Sequence, residues 1–339
     1  MSIKAKELAE LLNISAATVS MVLNNKPGIS EETRQRVLEA AQKYNCPLPK
    51  SKEQSVSDTI HFIIYKKDGA IVTDTPFFAH LTEGITQKCR QLNCLLQISY
   101  FYENENTEEQ LNMIKADHHS GILLLGTEIN PNMIKTFQSL SVPMVILDYY
   151  DEDIKTDCVL INNHQGAYHA TRYLIDKGHK KIGYLRSRIP IGNFNERAEG
   201  HYKALKSYKL EADTSKEYLI HPSLELGYLD LMQQLKENKP TATAYFADND
   251  IIAAAALRAF QENGYKIPED LSIIGFDDMP LCQYVEPALT TMRVPKLELG
   301  AQAIKRLYDN LHSNDNTIIK IALSTELIER ASVREITLE

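Results

Sequence analysis

Ile14-Ser15-Ala16-Ala17-Thr18-Val19-Ser20-Met21-Val22-Leu23-Asn24, near the amino end, is the stretch from which the architecture is read. Ser15 is an N-cap by type, since its hydroxyl can satisfy an orphan N–H of a helix's first turn. Val19 and Leu23, four apart, make an inward stripe with Val22 beside it. Ala16, Ala17, Ser20 and Met21 leave the opposite face slim. Upstream, Ile3, Leu8, Leu12 and Ile14 form another helix-spaced apolar set, broken at Asn13. Downstream, Ser30 caps a third helix whose core face is Val37, Ala41 and Tyr44. Three short helices with a tight turn between the first two describe a helix-turn-helix, whose second helix enters the DNA major groove. The spacing alone fits equally a small helical bundle used as an interaction module.

The wording of the segment separates these readings. Leu8-Ala9, Ile14-Ser15, Thr18-Val19-Ser20, Val22-Leu23-Asn24 and Ser30 with Thr33-Arg34 together resemble the headpiece of the lactose/galactose-repressor (LacI/GalR) family of transcription regulators. Ser15, Thr18, Asn24 and Asn25 can hydrogen-bond DNA phosphates, with Lys26 and Arg34 adding charge, and Ser30 and Thr33 complete the expected DNA-binding set. Such contacts fix position without reporting sequence. Base readout falls to Ala16, Ala17, Ser20 and Met21. The family usually has an arginine, a strong guanine contact, where this chain has Met21. Met21 and the two alanines instead suit thymine methyls, so specificity from one head is modest and two are needed.

Net charge is −8, which argues against a generally basic nucleic-acid binder. The distribution is uneven: residues 1–52 hold eight Lys/Arg against five Glu, leaving the acidic excess to the rest. A mildly basic head on an acidic body suits a protein that offers one end to a polyanion. Five scattered cysteines without a C-x-x-C pair make a zinc site or disulfide framework improbable and favour a reducing cytoplasm. Neither a signal-peptide segment nor a membrane-spanning apolar run is found, so a cytoplasmic protein without membrane attachment is expected.

Residues 47–59 read as a linker: the stretch is polar, with Pro47 and Pro49 at its start. The family places here a hinge helix that wedges a leucine into the minor groove. The usual Ala-Arg-x-Leu wording is missing, and Leu48 and Val56 are the bulky apolar residues.

From Ile60 the chain alternates apolar runs with helical stretches. The runs are Ile60–Tyr65, Leu95–Tyr100, Gly121–Leu125, Pro143–Leu147, Val159–Ile161, Lys181–Leu185, Thr243–Phe246 and Leu271–Phe276. One intervening helix starts at Thr107 with Gln110 as a capping box; another has Asn130 as cap with Pro131 at its first position. Gly178 and Gly264 end helices. The alternation argues for parallel sheets covered on both faces. Eight units exceed one comfortable sheet, which favours two lobes, although a TIM barrel has the same count.

Several phrases in order extend the resemblance over nearly the whole chain: Gly178–Leu185, Ala247-Asp248-Asn249-Asp250, Ile267–Asp270, Ser272–Asp278, Pro287–Thr291 and Glu326–Arg330. The expected fold is therefore α/β: a three-helix helix-turn-helix head on a two-lobed, periplasmic-binding-protein-like core of parallel sheets flanked by helices. The expected domains are a head over 1–46, the linker, and a core over 60–339. The resemblance implies three crossings between lobes, near 162, 291 and 323. Lobe 1 would hold about 60–162 and 292–323, and lobe 2 about 163–291 and 324–334. A dimer is expected, since no heptad extension follows Arg330.

Ligands of open parallel sheets bind outside the carboxyl ends of the strands. Those ends give Phe77, Phe78, Asp148, Phe194, Arg197, Asn249 and Asp277 as candidate effector-binding residues. Aromatic faces with planar donors and acceptors suit a polyhydroxylated ring, and a purine or other small polar metabolite is the alternative. Asp148 and Asp250 could equally cap helices, and Phe77 could be core. On the resemblance, Arg197 and Asp277 face the effector. Asn162 stands where the family often has aspartate. No G-x-S-x-G, P-loop or dinucleotide fingerprint is present. His118-His119 reads as a solvated turn and His179 as structural. No catalytic residue, metal site or cofactor is expected. The reading is a ligand-responsive transcription regulator that represses from a palindromic operator; a solute-binding or carbohydrate-processing protein is the alternative.

Overall fold

In a computed structural model the structure describes residues 4–23, 28–44, 46, 57–67, 69–72, 76–237, 239–313 and 317–336. Asn24, Asn25, Lys26 and the linker stretch 47–56 lie outside the described residues. The chain divides into two compact units, 1–57 and 58–339.

The first unit is three helices: α1 (Ala5–Leu12), α2 (Ala16–Leu23) and α3 (Glu31–Lys43). Asn13 ends α1 in the left-handed region, at φ 53 and ψ 46, a conformation that asparagine tolerates better than most residues. That residue makes the tight turn. Leu8, Ala9, Val19, Val22, Val37, Ala40, Ala41 and Cys46 form the buried core. The inward stripe of α2 is thus Val19 with Val22, and Leu23, read as its partner, is only half-buried.

The second unit contains two six-stranded sheets. The first uses β1 (Thr59–Lys66), β2 (Leu95–Tyr102), β3 (Gly121–Leu125), β4 (Met144–Leu147), β5 (Asp157–Ile161) and β11 (Lys320–Leu323). Its helices are α4 (Pro76–Gln91), α5 (Thr107–Ala116), α6 (Pro131–Gln138) and α11 (Lys296–His312). The order is β11-β5-β4-β3-β1-β2, parallel throughout. The second sheet uses β6 (Ile182–Ser187), β7 (Glu217–Ile220), β8 (Ala244–Ala247), β9 (Ser272–Asp277), β10 (Thr290–Arg293) and β12 (Glu326–Ile328). With it go α7 (Asn163–Asp176), α8 (Gly192–Ser207), α9 (Leu224–Glu237) and α10 (Asp250–Glu262). Here the order is β12-β10-β9-β8-β6-β7, with β12 alone antiparallel. Two open sheets exclude the barrel.

Central strands are apolar on both faces because helices cover both; every residue of β3, β4, β5 and β9 is buried. Gly84 on α4 and Gly300 on α11 let these helices approach closely. A Cβ on Gly84 would stand 2.1 Å from the Leu297 carbonyl oxygen, and one on Gly300 2.5 Å from that of Leu81.

Several sequence expectations are corrected. β1 begins at Thr59, inside the stretch read as linker. The crossing expected near 291 comes after Arg293, because β10 pairs with β9 and β12 in the second sheet. Asn106, not Thr107, caps α5, accepting from the N–H groups of Glu108 and Glu109. Gln110 instead exchanges two bonds with the Tyr102 main chain. Asn130 caps α6 with Pro131 following, as read. His119 is not solvated: it is partly buried, its ring nitrogens unpartnered, 5.3 Å edge-on from His61. His179 ties Thr243 to the Arg334 carbonyl, a structural joint.

Candidate functional site

In the head, Ser15 Oγ accepts the Thr18 N–H at 3.0 Å, and Ser30 Oγ accepts that of Thr33 at 3.4 Å. Both serines are therefore helix caps, each also meeting its threonine's hydroxyl at 2.8 Å. Ala16, Ala17 and Ser20 stand exposed on one face of α2, with Met21, Thr18, Thr33 and Arg34 half-buried. The exposed face is slim enough for a backbone to approach a groove floor.

In the second unit, carboxyl ends of strands from both sheets surround one cavity. All seven side chains picked from the sequence line it: Phe77 and Phe78 on α4, Asp148 after β4, Phe194 and Arg197 on α8, Asn249 before α10 and Asp277 at the end of β9. Thr127, Asn193, Ala70, Ile71 and Met279 also line it. The inner chamber is about 60 Å³, well below the several hundred Å³ of most small-molecule sites. A larger cavity of about 660 Å³ adjoins it, sharing Thr127 and Ile191 and running out past Tyr149 and Arg188.

Arg197 is 3% exposed, and three acceptors fix its guanidinium. Nε donates to Asn163 Oδ1 at 2.9 Å, Nη1 to the Asp248 carbonyl at 2.5 Å and Nη2 to Asp277 Oδ1 at 3.1 Å. Its Cζ lies over the Phe276 ring, 3.8 Å from the ring centre. A buried cation held by a planar fork and a ring face keeps one orientation. Asp277 sits at φ 112, its carbonyl gripped by Lys296 Nζ, which also reaches Asp278 and Val294 oxygens. Burial raises the Asp277 carboxyl and Arg197 opposes the rise; burial lowers Lys296 and Asp277 opposes that.

Asp148 is no helix cap. It sits at φ 64 in a loop, 2% exposed. Oδ2 accepts from the Thr127 hydroxyl at 2.6 Å, while Oδ1 is buried without a hydrogen-bond partner. Burial pushes its carboxyl up to about 6, with Thr127, Asn193 and Arg197 pulling the other way. Asn249, not Asp250, caps α10 through Ile252 N–H. Asp250 instead accepts from Thr291 Oγ1 and Met279 N–H, and burial pushes it to about 7. Asp248 holds Tyr184 and the Ser187 N–H and is raised by burial to about 6. Asn162 caps α7 through Gln165 N–H, and its neighbour Asn163 orients Arg197.

Glu128 was not picked from the sequence. Its carboxylate, 7% exposed, accepts four main-chain N–H groups, from Lys67, Gly69, Ile71 and Val72, at 2.7–3.2 Å. The segment so gathered carries Ala70 and Ile71 into the cavity wall. The rule that found Asp148 would have led to Thr127 and Glu128, which follow β3. Among the described residues no group of three or more His, Cys, Asp or Glu is placed to hold a metal ion.

Residues 4–46 match the family described as bacterial regulatory proteins, lacI family, and residues 171–333 match a periplasmic binding protein-like domain. The HTH-type transcriptional repressor PurR of Mannheimia succiniciproducens is 32% identical over 338 residues, covering 98% of each chain. A LacI family transcriptional regulator from Enterococcus faecium, solved with bound ribose, shares 26% identity and a TM-score of 0.69, covering 82% of this chain and 100% of that one. The lac repressor dimer bound to operator and the anti-inducer ONPF aligns with a TM-score of 0.74 at 22% identity, covering 98% and 100%, which shows the shared fold.

Proposed function

This chain belongs to the lacI family of bacterial regulatory proteins, a ligand-responsive DNA-binding repressor rather than an enzyme, and we propose that its effector is a carbohydrate bound between the lobes. The observation that carries this reading is the convergence of Arg197, Asp148, Asp277 and Asn249 with Phe77, Phe78 and Phe194 on one cavity. Carboxylates accept hydroxyl protons, the guanidinium donates, and rings cover C–H faces. The ribose in the Enterococcus faecium regulator supports the class. A flat heterocycle is the second reading, favoured by the edge-on Phe77–Phe78 pair at 5.1 Å.

The head reads its operator through α2. Ala16, Ala17, Ser20 and Met21 face bases, while Ser15, Thr18, Asn24, Lys26, Ser30, Thr33 and Arg34 position the phosphates. Two heads are brought together by a homodimer in the cytoplasm. Support for pairing comes from the outer edge of the first sheet, where β2 exposes Leu95, Ile98, Tyr100 and Tyr102; a long apolar edge strand calls for a cover. The effector acts through its different affinity for two lobe arrangements.

A thermal-shift screen of sugars and nucleobases against the purified protein tests the class, since a ligand that prefers the folded state raises the melting temperature. A hit that also changes operator affinity, itself falling steeply with salt, supports the reading. Stabilisation by nucleobases and by no sugar sinks the carbohydrate in favour of the heterocycle.

A further inference from the structure

Resting on the reading of this cavity as the effector site, we propose that the effector is an amino sugar whose ammonium sits at Oδ1 of Asp148. Three charged side chains line the chamber: Asp148, Asp277 and Arg197. Each nitrogen of the Arg197 guanidinium already holds one acceptor, Asn163, Asp248 or Asp277, and its ion pair is with Asp277, so Asp277 is balanced and Asp148 is not. Behind the wall stand Asp248 and Asp250, with Lys296 as the second cation. The cluster thus holds more carboxylates than cations.

Asp148 lines the chamber and is 2% exposed; its buried Oδ1 makes no hydrogen bond, and the Asn193 side chain, also in the cavity wall, acts on the same carboxylate. A buried carboxylate with an empty acceptor is costly until a donor arrives. A sugar hydroxyl would supply the hydrogen bond but not the charge. An ammonium supplies both, in a charge-assisted bond of about twice the strength. The charged groups that bear on Asp148 are Arg197, from α8, which favours its ionised form, and Asp277, from β9, which opposes it. Phe77, Phe78 and Phe194 offer ring faces to the same guest.

Isothermal titration of the full chain with glucosamine against glucose, galactosamine against galactose, and putrescine as a non-sugar amine tests this. Each amino sugar is expected to bind about ten-fold more tightly than its hydroxyl partner near pH 7. That advantage should shrink near pH 5, where Asp148 takes up a proton. Asp148→Asn, checked for folding by its melting temperature, should erase the preference; the wild-type pH dependence tests the same claim without a variant. Neutral sugars binding as well as their amines overturns the ammonium and leaves the carbohydrate reading standing. A preference that survives in Asp148→Asn removes the ammonium from that residue. Putrescine binding without any sugar overturns the carbohydrate and keeps an amine at Asp148. No binding by any of the five overturns both.

Discussion

The two walls of the cleft differ in how much of their polar chemistry is already satisfied. On the second-lobe side, Arg197 has three acceptors, Asn249 caps α10 and Asp277 is paired. On the first-lobe side, Asp148 has one oxygen on Thr127 and the other on nothing. One wall is a finished scaffold that fixes donors and charges in place. The other is left incomplete, with an acceptor that the proposed effector would complete. In such an arrangement ligand binding is felt most at the first lobe, because that is where an unpaid desolvation is relieved.

The largest test of this contrast is Arg197→Ala. Removing one partner leaves Asp277 as an unpaired buried charge, at a cost of about 3–5 kcal/mol. Urea unfolding of the variant should show that loss, with operator binding retained in the folded fraction and the effector response gone. A stable variant would mean that the second wall is no scaffold.

Asp148→Asn should do the reverse and stabilise. The folded-state carboxyl lies at about 6, above the ordinary 3.8, so the native form binds its proton more tightly than the unfolded form does. Stability then falls as pH rises from about 4 towards 6 and stays low above it. The gain from the variant should be near zero below about pH 4 and reach roughly 3 kcal/mol above pH 6. Melting curves across that range check it, and a pH-independent difference breaks the contrast.

Glu128→Ala removes a charged acceptor from four main-chain donors. Its expected cost is about 2 kcal/mol, since loop N–H groups regain water and each bond is worth only part of its gross strength. Hydrogen exchange should speed up at Lys67, Gly69, Ile71 and Val72 before it does in the sheet. The smallest effects belong to the head. Arg34→Ala should weaken binding to every duplex and lower the salt slope by about one. Met21→Arg should re-rank sequences by about 1–3 kcal/mol at one position, towards guanine; a competition binding assay separates the two.

What could be read from the sequence followed from where solvent lies. Gly121–Leu125 and its neighbours are buried on both faces, so they spell out as apolar runs. The four strands that escaped notice, Glu217–Ile220, Thr290–Arg293, Lys320–Leu323 and Glu326–Ile328, are short; each keeps an exposed residue, and three of them are sheet edges. Thr290 and Thr291 are buried but polar, each hydroxyl spent on a partner about 40 residues away. The seven residues that line the cavity are legible because strand ends are countable. Asn163 and Glu128 were not, because one works through another side chain and the other through main-chain groups 56–61 residues earlier. The phrases Asp248-Asn249-Asp250 and Asp277-Asp278 are now explained as joints: Asp278 pairs with both Arg293 and Arg330, and Asp250 joins two strand ends.

Glu128 grasps its segment by peptide groups alone, indifferent to what side chains the segment bears. Positions 70 and 71 are therefore an exchangeable cassette. Descendants of this chain can trade alanine and isoleucine there for other residues, and so try new guests, while the backbone holding the cassette stays anchored.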